Sequence, residues 1–252
     1  MKFLKTSFKQ ILVLAFLCTS LTTFGQSNSG LLEKYIVDFK SGSPLDKQLI
    51  CEKLMWSGLS DSSLFDLLEQ DLVSRAMTAN GKEEINNVAW LLKALGASGQ
   101  SKYLGTLQKF ILHSNGKIAK YAKEGINFIP QYAKWNPIIS DSSQANTERS
   151  EIINRYANMI RSEILALNML AAKRIYAEQI QNEYLYGLLS EKIIAGHKSV
   201  HKSDKTKIAA YAWMMRASAR TNVATAQKVL ETATNKKLKK YAKQYIAAAN
   251  KR

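Results

Sequence analysis

Apolar residues recur at helical spacing along nearly the whole chain, and no stretch alternates apolar and polar as a half-buried strand would. Pro44 after Ser43 reads as a first helical position behind its N-cap. Ser60 and Asp61 can cap a helix that begins near Leu64. Gly81 and Gly99 mark breaks, and Pro130 and Pro137 are expected to end a helix and open a linker. The polar run Ser140 to Thr147 reads as a loop. One long helix is predicted from Glu148 to about Gln179, with Ile153, Tyr156, Ile160, Ile164, Leu167 and Leu170 on one stripe. Gly196 to Ser203 is a second polar break. In the last helix Leu238, Tyr241, Ala242, Tyr245, Ile246 and Ala249 follow the spacing of a buried face. These elements predict an all-α fold.

Three blocks of sequence recur in the same order. Lys117 to Ile126 (KIAKYAKEGI) matches Lys237 to Ile246 (KLKKYAKQYI) at six of ten positions, 120 residues apart. Ala89 to Ala94 (AWLLKA) returns as Ala212 to Ala217 (AWMMRA), 123 residues apart. The leucines of Ser60 to Leu72 return in Gln181 to Ile193 at 121, with Phe65 opposite Tyr186. One block can arise by chance, but three in register point to two tandemly duplicated units of about 120 residues, each made of stacked helix pairs. The organisation read from this is a leader over 1–25, a first helical-repeat unit over 26–137, a linker and joining helix over 138–165, and a second unit over 166–252.

The stretches AWLLKALGASG, YLGTLQKFI and KIAKYAKEGI, with the turn Leu95-Gly96-Ala97-Ser98-Gly99, resemble HEAT-type repeats of bacterial proteins. The resemblance covers Asp46 to about Tyr132 and Leu165 to Ala249. It implies a short, curved, right-handed HEAT-like α-solenoid of eight to ten helices, used mostly for protein–protein contacts, and it implies no chemistry.

The N-terminal segment changes where the chain is expected to act. Lys2, Lys5 and Lys9 precede a short apolar run, Ile11 to Leu17, and Thr23 and Gly25 stand before Gln26 as small residues suit a cleavage site. This is the layout of a signal peptide, so the expected location is periplasmic or extracellular. Cys18 raises lipid anchoring as an alternative, but Leu17 and Phe16 stand where a lipoprotein signal wants a small residue. The apolar run is shorter than the roughly 20 residues a membrane span needs, and a chain that does not span the membrane is expected.

Charge adds an asymmetry. Residues 26–110 hold 9 Lys/Arg and 10 Asp/Glu, and residues 111–191 hold 9 and 8. Residues 192–252 hold 15 and 2, a net of +13. A basic surface at one end suggests an anionic partner: lipid head groups, an acidic polysaccharide, or an acidic protein. Nucleic acid is not expected in an exported compartment. In the last helix Lys236, Lys239, Lys240 and Lys243 fall away from the buried stripe and are the candidate anionic-partner residues, and Lys117, Lys120 and Lys123 take similar places in the first unit. A plain solubilising face is the competing reading.

Candidate chemistry is thin. His197 and His201 lie four apart, with Asp204 as a third ligand for a metal; a solvated loop accounts for them as well. Cys51, the one cysteine after the leader, faces Ala172 across the repeat and reads as a packed thiol. Asp61, Asp66, Glu69 and Asp71 form an acidic cluster whose counterparts are Asn182, Gly187, Ser190 and Lys192, so a solvated face is the simpler reading. Trp90 and Trp213 are repeat equivalents and read as core, while Trp135 is the candidate exposed aromatic. No glycine-rich phosphate loop, serine elbow or Cys-x-x-Cys pair is present. The reading is therefore a chain that is not an enzyme, with no cofactor, no metal and no catalytic residue. Its expected role is a binding or scaffold protein with a protein partner, and the alternative is a binder of an anionic polymer or membrane surface.

Overall fold

The computed structural model describes residues 26–251. The predicted leader, its predicted cleavage site and Cys18 lie outside the described residues. The described chain is all-α: twelve α-helices, joined by loops and two short 3₁₀ turns, with no strand among the described residues. In chain order they are α1 (Gln26–Ser41), α2 (Pro44–Leu54), α3 (Ser62–Ala76), α4 (Gly81–Ala97), α5 (Leu104–Lys109), α6 (Gly116–Ile139), α7 (Glu151–Arg161), α8 (Leu165–Ala177), α9 (Glu183–Gly196), α10 (Lys205–Ser218), α11 (Ala224–Thr232) and α12 (Lys236–Ala249).

The predicted starts hold where a cap fixes them. Ser43 accepts from the Asp46 amide while Asp46 reaches back to the Ser43 amide, a closed capping box with Pro44 at the first helical position. Asp61 accepts from the Ser63 amide at 2.8 Å and starts α3. Gly99 lies just past α4 at φ +71°, where a side chain would also strike the backbone of Ala133.

Three expectations are corrected. Twelve helices replace the eight to ten expected. The predicted single helix over Glu148 to Gln179 is two, because the chain turns extended at Ser162 (ψ 153°) and restarts at Leu165. The buried Asn168 holds that corner, donating to the carbonyls of Met159 (2.8 Å), Ile160 (3.0 Å) and Ser162 (3.0 Å). Pro130 and Pro137 do not end a helix but sit inside α6. They are seven residues apart, so they share one face, and both are exposed, where water can satisfy the carbonyls they leave unpaired. Tertiary bonds on the opposite face carry the helix through them. The Tyr132 hydroxyl donates to the Met55 carbonyl at 2.9 Å, and the buried Asn136 amide donates to the carbonyls of Ala97 (2.9 Å) and Ser98 (3.0 Å).

Packing forms two layers. Helix α4 lies between α2 and α6, and α10 between α8 and α12, while α1 packs on α3, and α9 on α7 and α11. The residues of α1 to α6 enclose one core around Leu68, Leu92, Leu95 and Leu107, and those of α7 to α12 enclose another around Leu167, Leu189 and Met215. Trp56 and Ile139 belong to the second core and join the halves. Arg174 of α8 adds an ion pair to Glu52 of α2 at 3.2 Å and lies over the Trp56 ring at 3.5 Å.

The helices of the two halves fall in matching order. Pro44 and Leu165 open α2 and α8, 121 residues apart, and Ser62 and Glu183 open α3 and α9 at the same offset. Leu64, Phe65, Leu68 and Leu72 are buried, as are Leu185, Tyr186, Leu189 and Ile193. The caps of α6 and α12 share one geometry: Asn115 Oδ1 accepts from the amides of Lys117 and Ile118, and Asn235 Oδ1 from those of Lys237 and Leu238. Asn235 does more, since its amide also donates to the carbonyls of Val200 and His201, each at 3.3 Å. Asn115→Ala is therefore expected to cost about 1 kcal/mol of stability, an ordinary cap loss. Asn235→Ala is expected to cost about 2–3 kcal/mol, because it also strands buried carbonyls. Urea melts of the two variants check this, and equal losses would contradict the anchoring role of Asn235.

Candidate functional site

The hydrogen bonds of Asn235 decide where the basic residues meet. By holding the carbonyls of Val200 and His201, Asn235 draws the loop after α9 against the start of α12. Thr234 adds a longer bond to the Lys198 carbonyl at 3.4 Å. The result is an open cleft of about 730 Å³ whose rim carries Lys198, His201, Lys202, Lys236 and Lys237. All five side chains are exposed. None of the four lysines has a carboxylate within ion-pair distance among the described residues. The positive end of the α12 dipole points the same way. Such an arrangement repels itself when empty and attracts multiply charged anions.

Of the lysines singled out in the sequence, Lys236 lies in this cleft. Lys240 and Lys243 continue its row along the exposed face of α12, and Lys239 is half-buried at the edge of that face. The sequence reading missed Lys198, Lys202 and Lys237. The break at Gly196 to Ser203 was visible, but its seat against α12 depends on the long-range bonds of Asn235 and Thr234.

The remaining candidates are placed as follows. His197 is not part of a solvated loop. It is buried, one ring nitrogen against the Ile193 carbonyl at 3.0 Å and the other against the Thr232 hydroxyl at 2.7 Å. His201 is exposed and pairs with the Ser203 hydroxyl, so the two imidazoles serve different neighbours. Among the described residues no group of three His, Cys, Asp or Glu side chains stands close enough to hold a metal ion. Cys51 is buried, and burial pushes its thiol well above the usual range, so it keeps its proton and packs in the first core.

The acidic cluster is divided among separate partners rather than lying as a free solvated face. Asp66 accepts from Lys102 and from the Tyr103 hydroxyl, each at 2.7 Å, which holds its carboxyl below the usual range. Glu69 accepts from the Thr106 hydroxyl. Asp71 pairs with Lys47 at 3.1 Å and Arg75 at 3.0 Å. These bonds tie α3 to its neighbours.

Two readings of the tryptophans change. Trp90 and Trp213 are half-buried at the core's edge, each with a cation on its ring three residues on: Lys93 at 4.6 Å and Arg216 at 4.9 Å. Trp135 is also half-buried, packed on the second core with its ring 5.3 Å from that of Tyr132, so it offers only part of its surface. Six of the seven large exposed apolar side chains among the described residues lie in the first half, Leu45, Leu49, Met77 and Leu112 among them. No described helix is long and apolar enough to cross a membrane.

Comparison with known proteins adds little. No family model matches the chain, and no curated protein matches it. A solved structure of human deoxyhypusine hydroxylase in complex with glycerol aligns with 86% of this chain and 84% of its own, at 12% identity and a TM-score of 0.33. That protein is by name an enzyme, which stands against the expectation that this chain is not one.

Proposed function

We propose that this chain is an exported, HEAT-like helical-repeat protein that binds a protein partner, and that its basic half holds an acidic segment of that partner. The observation that carries this reading is the cleft where Lys198, Lys202, Lys236 and Lys237 meet without a carboxylate of their own. The leader-like N-terminus supports export, and the matching order of helices and caps supports two related units. A protein partner is favoured over a membrane because the exposed apolar side chains, which would anchor in lipid, lie almost all in the other half.

The test uses two 12-residue peptides, alternating Gly-Glu and alternating Gly-Gln, each labelled for fluorescence anisotropy. The acidic peptide is expected to bind and the neutral one not. Raising salt from 50 to 300 mM is expected to weaken the acidic complex roughly tenfold, since the screening length for exposed charges falls from about 14 Å to about 6 Å. Equal binding of both peptides removes this reading. Capture by vesicles rich in phosphatidylserine, with no hold on the acidic peptide, shifts the function to the alternative, an anionic polymer or lipid surface.

A further inference from the structure

The inner layer of the second half carries a second basic feature of a different kind. Arg216, in the last turn of α10, donates to the Tyr176 hydroxyl at 3.1 Å and lies 4.3 Å from its ring centre. Arg220, just past the end of α10, donates to the Tyr176 carbonyl at 2.8 Å and lies 5.0 Å from the same ring. Across from them α12 contributes Gln244 and Tyr245, and the Tyr241 and Tyr245 rings stack at 6.1 Å. Tyr176, Arg216, Arg220, Gln244 and Tyr245, with Ala219, line a cavity of about 240 Å³.

Neither arginine has a carboxylate within ion-pair distance among the described residues, although both are half-buried. Arg174 supplies the contrast. It too is half-buried on an aromatic ring, that of Trp56, but it pairs with Glu52 at 3.2 Å and Glu178 at 2.8 Å. A guanidinium drawn partly out of water is stabilised by a carboxylate that meets its planar fork. This fold supplies one at Arg174 and none at Arg216 and Arg220.

The cavity lies where the other half is closed. Gly96 and Gly125, in α4 and α6, bring their backbones into contact, so that a Cβ on Gly96 would stand 2.2 Å from the Gly125 carbonyl oxygen. At the repeat offsets of 123 and 120 their counterparts are Ala219 and Tyr245, two of the residues that line the cavity. Larger residues stand at these places in the second half, and Arg216 and Arg220 line the cavity beside them. Burial raises the Tyr245 phenol against the opposing pull of Arg216, so the hydroxyl keeps its proton and can donate.

We propose that this cavity is the receptor for a single carboxylate of the partner, an aspartate or glutamate side chain or a chain-terminal carboxylate, gripped by Arg216 and Arg220 over the tyrosine rings. The proposal rests on the reading of an acidic protein partner given above. Small-molecule pockets run from about 300 Å³ upward, so a cavity of 240 Å³ suits one side chain rather than a whole ligand. Each guanidinium has five N–H donors and spends one on Tyr176, leaving an edge for two oxygens.

The experiment compares wild type with Arg216→Lys and Arg220→Gln at 150 mM salt, against the Gly-Glu peptide and against heparin, a sulfated polymer that reads the lysine cleft. Arg216→Lys keeps the charge and loses the fork. It is expected to weaken the peptide roughly tenfold, the worth of one charge-assisted bond, and to leave heparin within about twofold. Arg220→Gln is expected to lose at least as much on the peptide, and it tests the proposal independently should Arg216→Lys fail to show the wild-type circular dichroism. Peptides with free and amidated C-termini separate the two sources: a roughly tenfold preference for the free acid assigns the terminal carboxylate, and equal affinity assigns the side chains. If wild type binds the peptide and both folded variants bind it within about twofold of wild type, the cavity proposal is overturned while the cleft reading stands. If wild type binds neither peptide nor heparin, the cleft reading fails and takes this proposal with it.

Discussion

Gly96→Ala is expected to destabilise the protein by about 3 kcal/mol or more, among the largest effects of any single methyl group in this chain. The added Cβ would lie 2.2 Å from the carbonyl oxygen and 2.6 Å from the Cα of Gly125. Both are backbone atoms of α6, so no side chain can swing away, and the two helices must separate. That separation would loosen Leu92 and Leu95 on α4 and Ile118 and Ala122 on α6, all fully buried. Gly125→Ala should do similar harm, since its Cβ would meet the Leu92 carbonyl oxygen at 2.6 Å. Gly105→Ala is the matched control. It lies within α5 with nothing within 4 Å of the new methyl, and should stabilise the protein by about 0.5–1 kcal/mol through the unfolded chain. Urea midpoints of the three variants test the account; a Gly96→Ala midpoint at or above that of Gly105→Ala would refute the close crossing of α4 and α6.

Replacing Lys198, Lys202, Lys236 and Lys237 together by Gln is expected to lower affinity for the acidic peptide roughly hundredfold at low salt. An exposed ion pair contributes about 0.5–1 kcal/mol, and four of them total about 2–4 kcal/mol. Stability should hold within about 0.5 kcal/mol or rise slightly, because the four side chains are exposed and repel one another. Anisotropy titrations give the affinity, and urea melts give the stability.

Much of the fold was legible in the sequence because local chemistry fixed it. The capping box at Ser43 and Asp46, the cap at Asp61 and the buried stripe of α12 are short-range features, and they stand where periodicity and cap residues put them. The sequence misled where tertiary bonds overrule local preference. Proline normally stops a helix, but Tyr132 and Asn136 bind α6 to the carbonyls of Met55, Ala97 and Ser98, and the helix runs on past Pro130 and Pro137. The stripe from Ile153 to Leu170 continues through the corner at Ser162 because helices on both sides face the same core, and nothing in periodicity shows a bend that Asn168 holds. The candidate site was half legible. Charge counting found the basic half and Lys236, but Lys198 and Lys202 are brought to the same cleft by the long-range bonds of Asn235 and Thr234. The arginine cavity was not legible, since it depends on which side chain is missing a partner.

The central claim is that a placed cleft, and not net charge, binds the acidic partner. It is tested most directly by comparing two variants of equal charge at one salt concentration. One carries Gln at Lys198, Lys202, Lys236 and Lys237. The other carries Gln at Lys205, Lys207, Lys228 and Lys251, which are exposed in the same basic half but lie outside the cleft. The account predicts that the first loses roughly a hundredfold in affinity for the Gly-Glu peptide while the second loses less than about threefold. Equal losses in the two variants would contradict it.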